Sequence, residues 1–153
     1  MSQAQCKREW VLEALEQYEG RLTRFALRLL GDRGAAADAV QHTFLRLCDQ
    51  SPESLQGRLD AWLFAVCRHK AIDLLRLRGQ VERLDNELAG LASREPDPAQ
   101  TVEQRDLYVW LNCATQSLPI AQREVLQLWA EGFDYRQIAA TTERTEVHVR
   151  VLV

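Results

Sequence analysis

Apolar residues recur at three- and four-residue steps along most of the chain, a spacing that predicts α-helices rather than strands. The pattern runs from residue 6 to 30, where it indicates two helices meeting near Gly20, and then from residue 35 to 48. The longest amphipathic stretch, residues 59–78, contains neither Pro nor Gly, so nothing in it breaks a helix. The two helices within residues 6–30 and the helices over 35–48 and 59–78 together predict a four-helix N-terminal domain.

A second helical block follows residue 102 and has the signals of a helix-turn-helix. Pro119 suits the first turn of one helix, and Asp134 with Gln137 forms a capping-box pattern at the start of the next. Thr145 is placed to cap a last helix that begins at Glu146. A helix, a tight turn and a second helix can present a recognition helix to the major groove of DNA.

The two blocks are separated by a stretch rich in Pro, Gly and acidic residues, which is typical of a flexible linker. The predicted fold is therefore all-α, with two small helical domains. We place the domains at residues 1–80 and 103–153 and the linker at 81–102. We also expect the C-terminal end at Val153 to be truncated.

One line of residues along the predicted 59–78 helix combines aromatic, charged and hydrogen-bonding side chains. Trp62, Ala65, His69, Asp73 and Arg76 follow one another at three- and four-residue steps. An aromatic ring, a cation and hydrogen-bonding groups together suit stacking on a base and pairing with its edges and phosphates. An ordinary solvated face with a half-buried Trp explains the same pattern.

The helix over residues 35–48 presents a polar face with an apolar residue in it. Asp38, Gln41, His42 and Leu45 lie opposite its apolar side, and an exposed Leu among short polar groups indicates an interface. Isolated exposed Leu residues are also common, so the pattern alone leaves both readings open.

Charge and composition narrow the class of protein. The net charge is −3, so the overall basic signature of a free-standing DNA-binding domain is absent. Cations dominate between residues 68 and 83 and carboxylates between 85 and 106, which indicates a basic helix followed by an acidic connector. The four cysteines lack metal-ligand spacing and are expected to be mostly buried free thiols. No membrane span, metal site, cofactor or enzymatic motif is predicted.

Several motifs, in order and spacing, resemble the extracytoplasmic-function (group IV) sigma factors of the sigma-70 family. Trp62-Leu63-Phe64, Arg68-His69 and the run from Ala71 to Arg76 resemble the core of sigma region 2. The segments around Asp38–Gln41, Leu118-Pro119 and Arg123–Leu126 match the family as well. The chain departs from the family pattern at five positions. His42 stands where Glu is usual and His69 where Asn is usual, and in and after the turn Glu143 stands in place of Gly, Arg144 of an apolar residue and His148 of Thr.

The resemblance implies a cytoplasmic initiation factor that binds core RNA polymerase, through the clamp helices of its largest subunit and its flap, and promoter DNA. An anti-sigma factor is a further expected partner. The implied polymerase-binding residues are Asp38, Gln41, His42 and Leu45. The residues implied to contact the minus-ten region are Ser54, Gln56, Arg58, Trp62, Arg68, His69, Lys70, Asp73 and Arg76. Those implied for the minus-thirty-five region are Glu146, Val147, Arg150 and Val151.

Two alternatives fit the helical pattern. One is a helix-turn-helix regulator attached to a helical sensor domain, and the other is a helical protein-binding module that acts without core polymerase. The polar face at residues 38–45 and the basic helix at 68–83 argue against the regulator.

Overall fold

The computed structural model describes residues 2–85 and 102–153, and within these ranges all regular secondary structure is helical. The all-α prediction is therefore confirmed. The elements are α1 (Gln3–Leu30), α2 (Arg33–Cys48), a single 3₁₀ turn (Glu53–Leu55), α3 (Leu59–Asp85), α4 (Val102–Gln116), α5 (Ile120–Ala130), α6 (Tyr135–Thr142) and α7 (Glu146–Leu152).

The first helix is continuous across Gly20, where the sequence predicted a break. Glycine inside a helix costs about 0.5–1 kcal/mol. Tyr18 and Leu22, on either side of it, are both buried, and we attribute the continuity to their shared packing. Residues 2–85 consequently form three α-helices and one 3₁₀ turn rather than four α-helices.

The connection between α1 and α2 is short, and the helix ends on both sides of it are capped. Gly31 adopts a left-handed conformation at φ 68°, and its N–H donates to the Leu27 carbonyl over 2.7 Å. The Asp32 side chain then accepts a hydrogen bond from the Ala35 N–H at 2.9 Å, which begins α2. The two helices therefore lie side by side, and α3 packs against both.

The predicted helix-turn-helix is confirmed in residues 120–152. Asp134 and Gln137 form the predicted capping box, and the Thr145 hydroxyl accepts from the His148 N–H at 3.2 Å. Between α6 and α7, Glu143 adopts a left-handed conformation at φ 57°, although it is not a glycine.

The helix-turn-helix is seated on the N-terminal helices, with α5 against α1 and α6 against α3. Three aromatic rings connect the two parts in edge-to-face contacts. Phe25 and Phe64 have ring centroids 5.2 Å apart, and Phe64 and Phe133 have centroids 5.1 Å apart. The hydrophobic core therefore extends from one segment into the other. Most of the predicted linker lies outside the described residues, and α3 extends through residues 81–85 of it.

The helical spacing of Val125, Leu128 and Trp129 predicts that all three are buried on α5. Val125 and Leu128 are buried, but Trp129 is 52% exposed, so the prediction was wrong at that residue. Helical periodicity identifies an apolar face but not whether another element covers it, and Leu107, Trp110 and Leu111 of α4 are exposed in the same way. Val149 and Val153 lie four residues apart, a spacing that predicts one inward face of the last helix. Val149 is fully buried, but Val153 is exposed.

The cysteines were also predicted incorrectly as a group. Cys67 is buried, but Cys6, Cys48 and Cys113 are exposed free thiols. Burial raises the pKa of Cys67 to about 12, against the opposing effect of a hydrogen bond with Thr43. Cys67 is therefore a protonated core residue.

The left-handed Glu143 generates a stability prediction. Glu143→Gly should raise the free energy of unfolding by about 0.5–1 kcal/mol, because glycine adopts this conformation without the steric cost of a Cβ atom. Chemical denaturation measures the change. Glu143→Ala is the control, since it removes the carboxylate but keeps the Cβ; an equal gain in both variants would show that charge, not backbone strain, is responsible.

Candidate nucleic-acid and polymerase interface

The mixed line of residues predicted on α3 forms a surface strip, which we call the α3 stripe (Trp62, Ala65, His69, Asp73 and Arg76). Trp62 is half-buried against the core, and the last three members have exposed side chains. His69 Nε2 lies 3.4 Å from Glu143 Oε1, and Arg76 Nη1 lies 4.0 Å from Asp73 Oδ1. Exposed pairs of this kind contribute little stability, so the stripe can exchange them for other contacts.

Arg68 and Lys70 do not share one environment, although both were predicted to contact DNA. Lys70 is half-buried, whereas Arg68 is buried and faces the helix-turn-helix. Arg68 Nε donates to Glu124 Oε2 over 2.8 Å and its Nη2 donates to Oε1 over 3.3 Å. Its remaining nitrogen, Nη1, donates to the Thr141 carbonyl over 3.4 Å. In this arrangement all three guanidinium nitrogens are directed at α5 and α6.

The loop before α3 is ordered by its own hydrogen bonds. Ser54 Oγ donates to the Ser51 carbonyl over 2.7 Å, and Arg58 donates twice to the Ser54 carbonyl, at 2.9 and 3.2 Å. Gln56 is exposed, and the space around Gly57 is open. The Trp62 N–H donates to the Arg58 carbonyl, so this loop leads directly into the start of the α3 stripe.

The predicted polymerase face lies along α2. Asp38, Gln41 and Leu45 are exposed, with Leu45 at 61%, and His42 is half-buried. Gln41 and Leu45 also border a groove of about 710 Å³ between α1 and α2. Its lining is mainly apolar and includes Val11, Leu15, Leu27, Val40 and Phe44.

His42 is mainly neutral at pH 7. Burial lowers its pKa below the ordinary 6.5, and the nearby Lys70 and Arg46 cations lower it further, against an opposing effect of Asp73. The α2 face therefore has one carboxylate, Asp38, and a neutral imidazole at this pH.

The recognition helix exposes the four residues predicted for it. Glu146, Val147, Arg150 and Val151 all lie on the surface of α7. Arg150 Nη2 donates to Glu146 Oε1 over 2.8 Å, and its guanidinium lies 5.7 Å from the centre of the Tyr135 ring. The Arg150 guanidinium, which could contact a base or a phosphate, is therefore already paired with the Glu146 carboxylate and lies over the Tyr135 ring.

The charged contacts between the two parts of the chain were not predicted from the sequence. On one side are α1 and α3, and on the other are α5 and the turns before and after α6. Glu124 is 0% exposed and forms ion pairs with both Arg68 and Arg144. Arg21 Nε also donates to Glu131 Oε2 over 3.0 Å. A signal for Glu124 existed, because it falls on the same side of α5 as the buried residue Leu128, where a carboxylate needs a cation.

Among residues 2–85 and 102–153, His, Cys, Asp and Glu side chains form no group suited to hold a metal ion. In that same part of the chain, every helix is too short or too polar to cross a membrane.

The environment of His42 predicts its titration. In the folded protein its pKa should be below 6.5, measured from imidazole NMR signals assigned with His42→Gln. Lys70→Gln should raise that pKa and Asp73→Asn should lower it, because these changes remove a cation and an anion respectively. Since the unfolded chain protonates more readily, acidification through pH 6.5 should lower the free energy of unfolding. A measured pKa at or above 6.5 would contradict the assigned environment.

Comparison with known proteins gives consistent matches. The family model for sigma-70 region 2 matches residues 14–80, which include α2 and most of α3. The chain is 30% identical over 145 residues to the ECF RNA polymerase sigma factor SigE of Mycolicibacterium smegmatis, covering 89% of this chain and 56% of that one. It is 34% identical over 122 residues to the ECF RNA polymerase sigma factor EcfG of Rhodopseudomonas palustris, covering 78% of this chain and 65% of that one. It therefore spans between about half and two thirds of the length of these relatives.

A solved structure has the same fold. The sigma factor RpoE from Bartonella quintana, crystallised with the anti-sigma factor NepR, aligns with a TM-score of 0.73 at 23% identity, over 92% of this chain and 88% of that one. The region 2 match and the curated relatives lead to one family: the chain belongs to the extracytoplasmic-function sigma factors of the sigma-70 family.

Proposed function

We propose that this protein is a transcription initiation factor, not an enzyme, that binds core RNA polymerase and directs it to specific promoters. The observation that carries the proposal is the α3 stripe: an aromatic ring, an imidazole, a carboxylate and a guanidinium on one surface line, inside the segment that matches sigma-70 region 2. Residues 1–80 would melt the minus-ten element, and residues 103–153 would read the minus-thirty-five element.

Promoter melting requires a base to leave the double helix, which costs a few kcal/mol. The stripe and the loop before it offer the compensating contacts. Trp62 supplies an aromatic surface for stacking, and His69 and Asp73 supply hydrogen bonds to base edges. Ser54 and Gln56 lie in the loop that would receive an extruded base. Arg58, Arg68, Lys70 and Arg76 are the candidates for phosphate contacts.

The α2 face is the proposed polymerase-binding surface. Leu45 projects from it beside the groove between α1 and α2, so an apolar side chain of the partner could be buried there. Asp38 and Gln41 would pair with polar groups of the clamp helices. The neutral His42 contributes a hydrogen-bonding group where the family usually has a carboxylate, which reduces the charge available to attract a basic partner surface.

The C-terminal segment (residues 103–153) would bind the polymerase flap and read DNA through α7. Arg150 is the strongest donor among the four residues of α7 predicted to contact DNA. Val147 and Val151 offer apolar surfaces, and Glu146 offers a carboxylate. An anti-sigma factor is a further proposed partner, by analogy with the RpoE complex. The protein would act in the cytoplasm, where RNA polymerase and promoter DNA are found.

Docking on polymerase is tested with Leu45→Arg. This change should weaken binding to core RNA polymerase by about tenfold or more, because a guanidinium forced into an apolar contact loses hydration. Pull-down and run-off transcription on a promoter library provide the measurements. Leu12→Arg, which changes an exposed Leu on α1 outside the groove lining, is the matched control. Unchanged binding by Leu45→Arg would reject the α2 face, and DNA binding without any polymerase binding would favour the regulator alternative.

Recognition of the minus-thirty-five element is tested with Arg150→Ala. One good bidentate contact to a base contributes about 1–3 kcal/mol, and we expect the lower end because Arg150 must first leave Glu146. Transcription should fall mainly on promoters that contain the element. Run-off assays on paired promoters with and without it make the comparison. An equal loss on both would assign Arg150 to folding or polymerase contact instead.

A further inference from the structure

Arg68 and Glu124 form a forked pair between α3 and α5. Two neighbouring guanidinium nitrogens approach the two carboxylate oxygens, at 2.8 and 3.3 Å. This geometry is the one by which arginine binds either a carboxylate or a phosphate, since both present two oxygens at similar spacing. Glu124 therefore occupies the side of Arg68 that a DNA phosphate would occupy.

We propose that Glu124 is an internal competitor of DNA for Arg68, so that the C-terminal segment masks part of the DNA-binding surface of α3 until the two separate. The inference rests on the proposed function, because it assigns Arg68 a phosphate contact in the initiation complex. The inference adds a regulatory state of the free protein, which we call closed, in which the C-terminal segment packs against α1 and α3. Binding partners that hold α5 away from α3 would open it.

The other contacts across the same boundary support a closed state with several points of attachment. Phe133 packs edge-to-face against Phe64. Arg21 donates to both the side chain and the backbone carbonyl of Glu131. The α3 stripe is touched as well, through the contact between His69 and Glu143. The C-terminal segment therefore covers Arg68 and borders the stripe.

The ion pairs are suited to exchange rather than to permanent attachment. Removing charged groups from water carries a large penalty, so a buried ion pair adds little net stability compared with an apolar contact. When the segments separate, Arg68 regains water and can bind a phosphate at the same atoms. Losing one partner alone is different, because it leaves the remaining charge buried without compensation.

The test measures binding of a labelled random-sequence single-stranded DNA oligonucleotide to the full chain by fluorescence anisotropy. Glu124→Gln keeps the side-chain shape but removes the competing charge, and should raise the affinity about tenfold. It should also steepen the slope of log affinity against log salt by about 0.7, the value for one additional phosphate contact on a single strand. Both gains should be absent in the double variant Glu124→Gln with Arg68→Ala.

Two further variants separate unmasking from general effects. Glu13→Gln removes an exposed carboxylate of α1 and makes the same change in net charge, but should leave affinity and salt slope unchanged. Phe133→Ala weakens the aromatic contact without changing charge, and should raise the affinity in the same direction as Glu124→Gln. Circular dichroism and thermal melting establish which variants are folded, and Phe133→Ala decides the matter should Glu124→Gln fail to fold.

The inference is overturned if folded Glu124→Gln or Phe133→Ala binds DNA no better than the native protein, or if the gain survives removal of Arg68. Run-off transcription with core polymerase separates this result from the proposed function. Native protein that transcribes, with no unmasking in the variants, would reject the competitor and keep the function. Native protein that neither binds polymerase nor transcribes would reject the function itself.

Discussion

A buried carboxylate requires a cation beside it, and this requirement determines how the two parts of the chain meet. Glu124 has no exposure to solvent, so its charge must be compensated within the protein. Arg144 comes from its own segment, but Arg68 comes from α3. The helix-turn-helix is consequently held in one orientation on α3, with Phe133 against Phe64 supplying apolar contact beside the charges. Apolar burial contributes most of the attraction, while the ion pairs specify the alignment.

The same helix serves as a core element, a contact for the C-terminal segment and a candidate DNA-binding surface. Different sides of α3 make this possible. Leu63, Phe64 and Cys67 are buried in the N-terminal core. Arg68 is directed at α5, and His69 lies on the more exposed side. Neighbouring residues on a helix point about 100° apart, so Arg68 and His69 reach different partners although they are adjacent in sequence. A structural role and a binding role can therefore alternate along one helix.

Local signals predicted the elements well, and the contacts between distant elements poorly. The capping box at Asp134 and the cap at Thr145 depend on residues within one turn, so the sequence alone locates them. The exposed line of α3 also follows from helical spacing. The continuity of α1 through Gly20 and the exposure of Trp129 depend instead on which neighbours are present. The pairing of Arg68 with Glu124 joins residues 56 positions apart, beyond the range of any periodicity argument.

Two of the five departures from the family pattern are in contact with each other. His69 stands where Asn is usual and Glu143 where Gly is usual, and their side chains approach to 3.4 Å across the boundary between α3 and the turn after α6. Glu143 is held in a left-handed conformation that glycine would adopt without cost, so the substitution has a local disadvantage. Its carboxylate lies beside an imidazole that the usual Asn would not provide. The two substitutions are therefore understood better as one paired feature of the closed state than as independent losses of the family pattern.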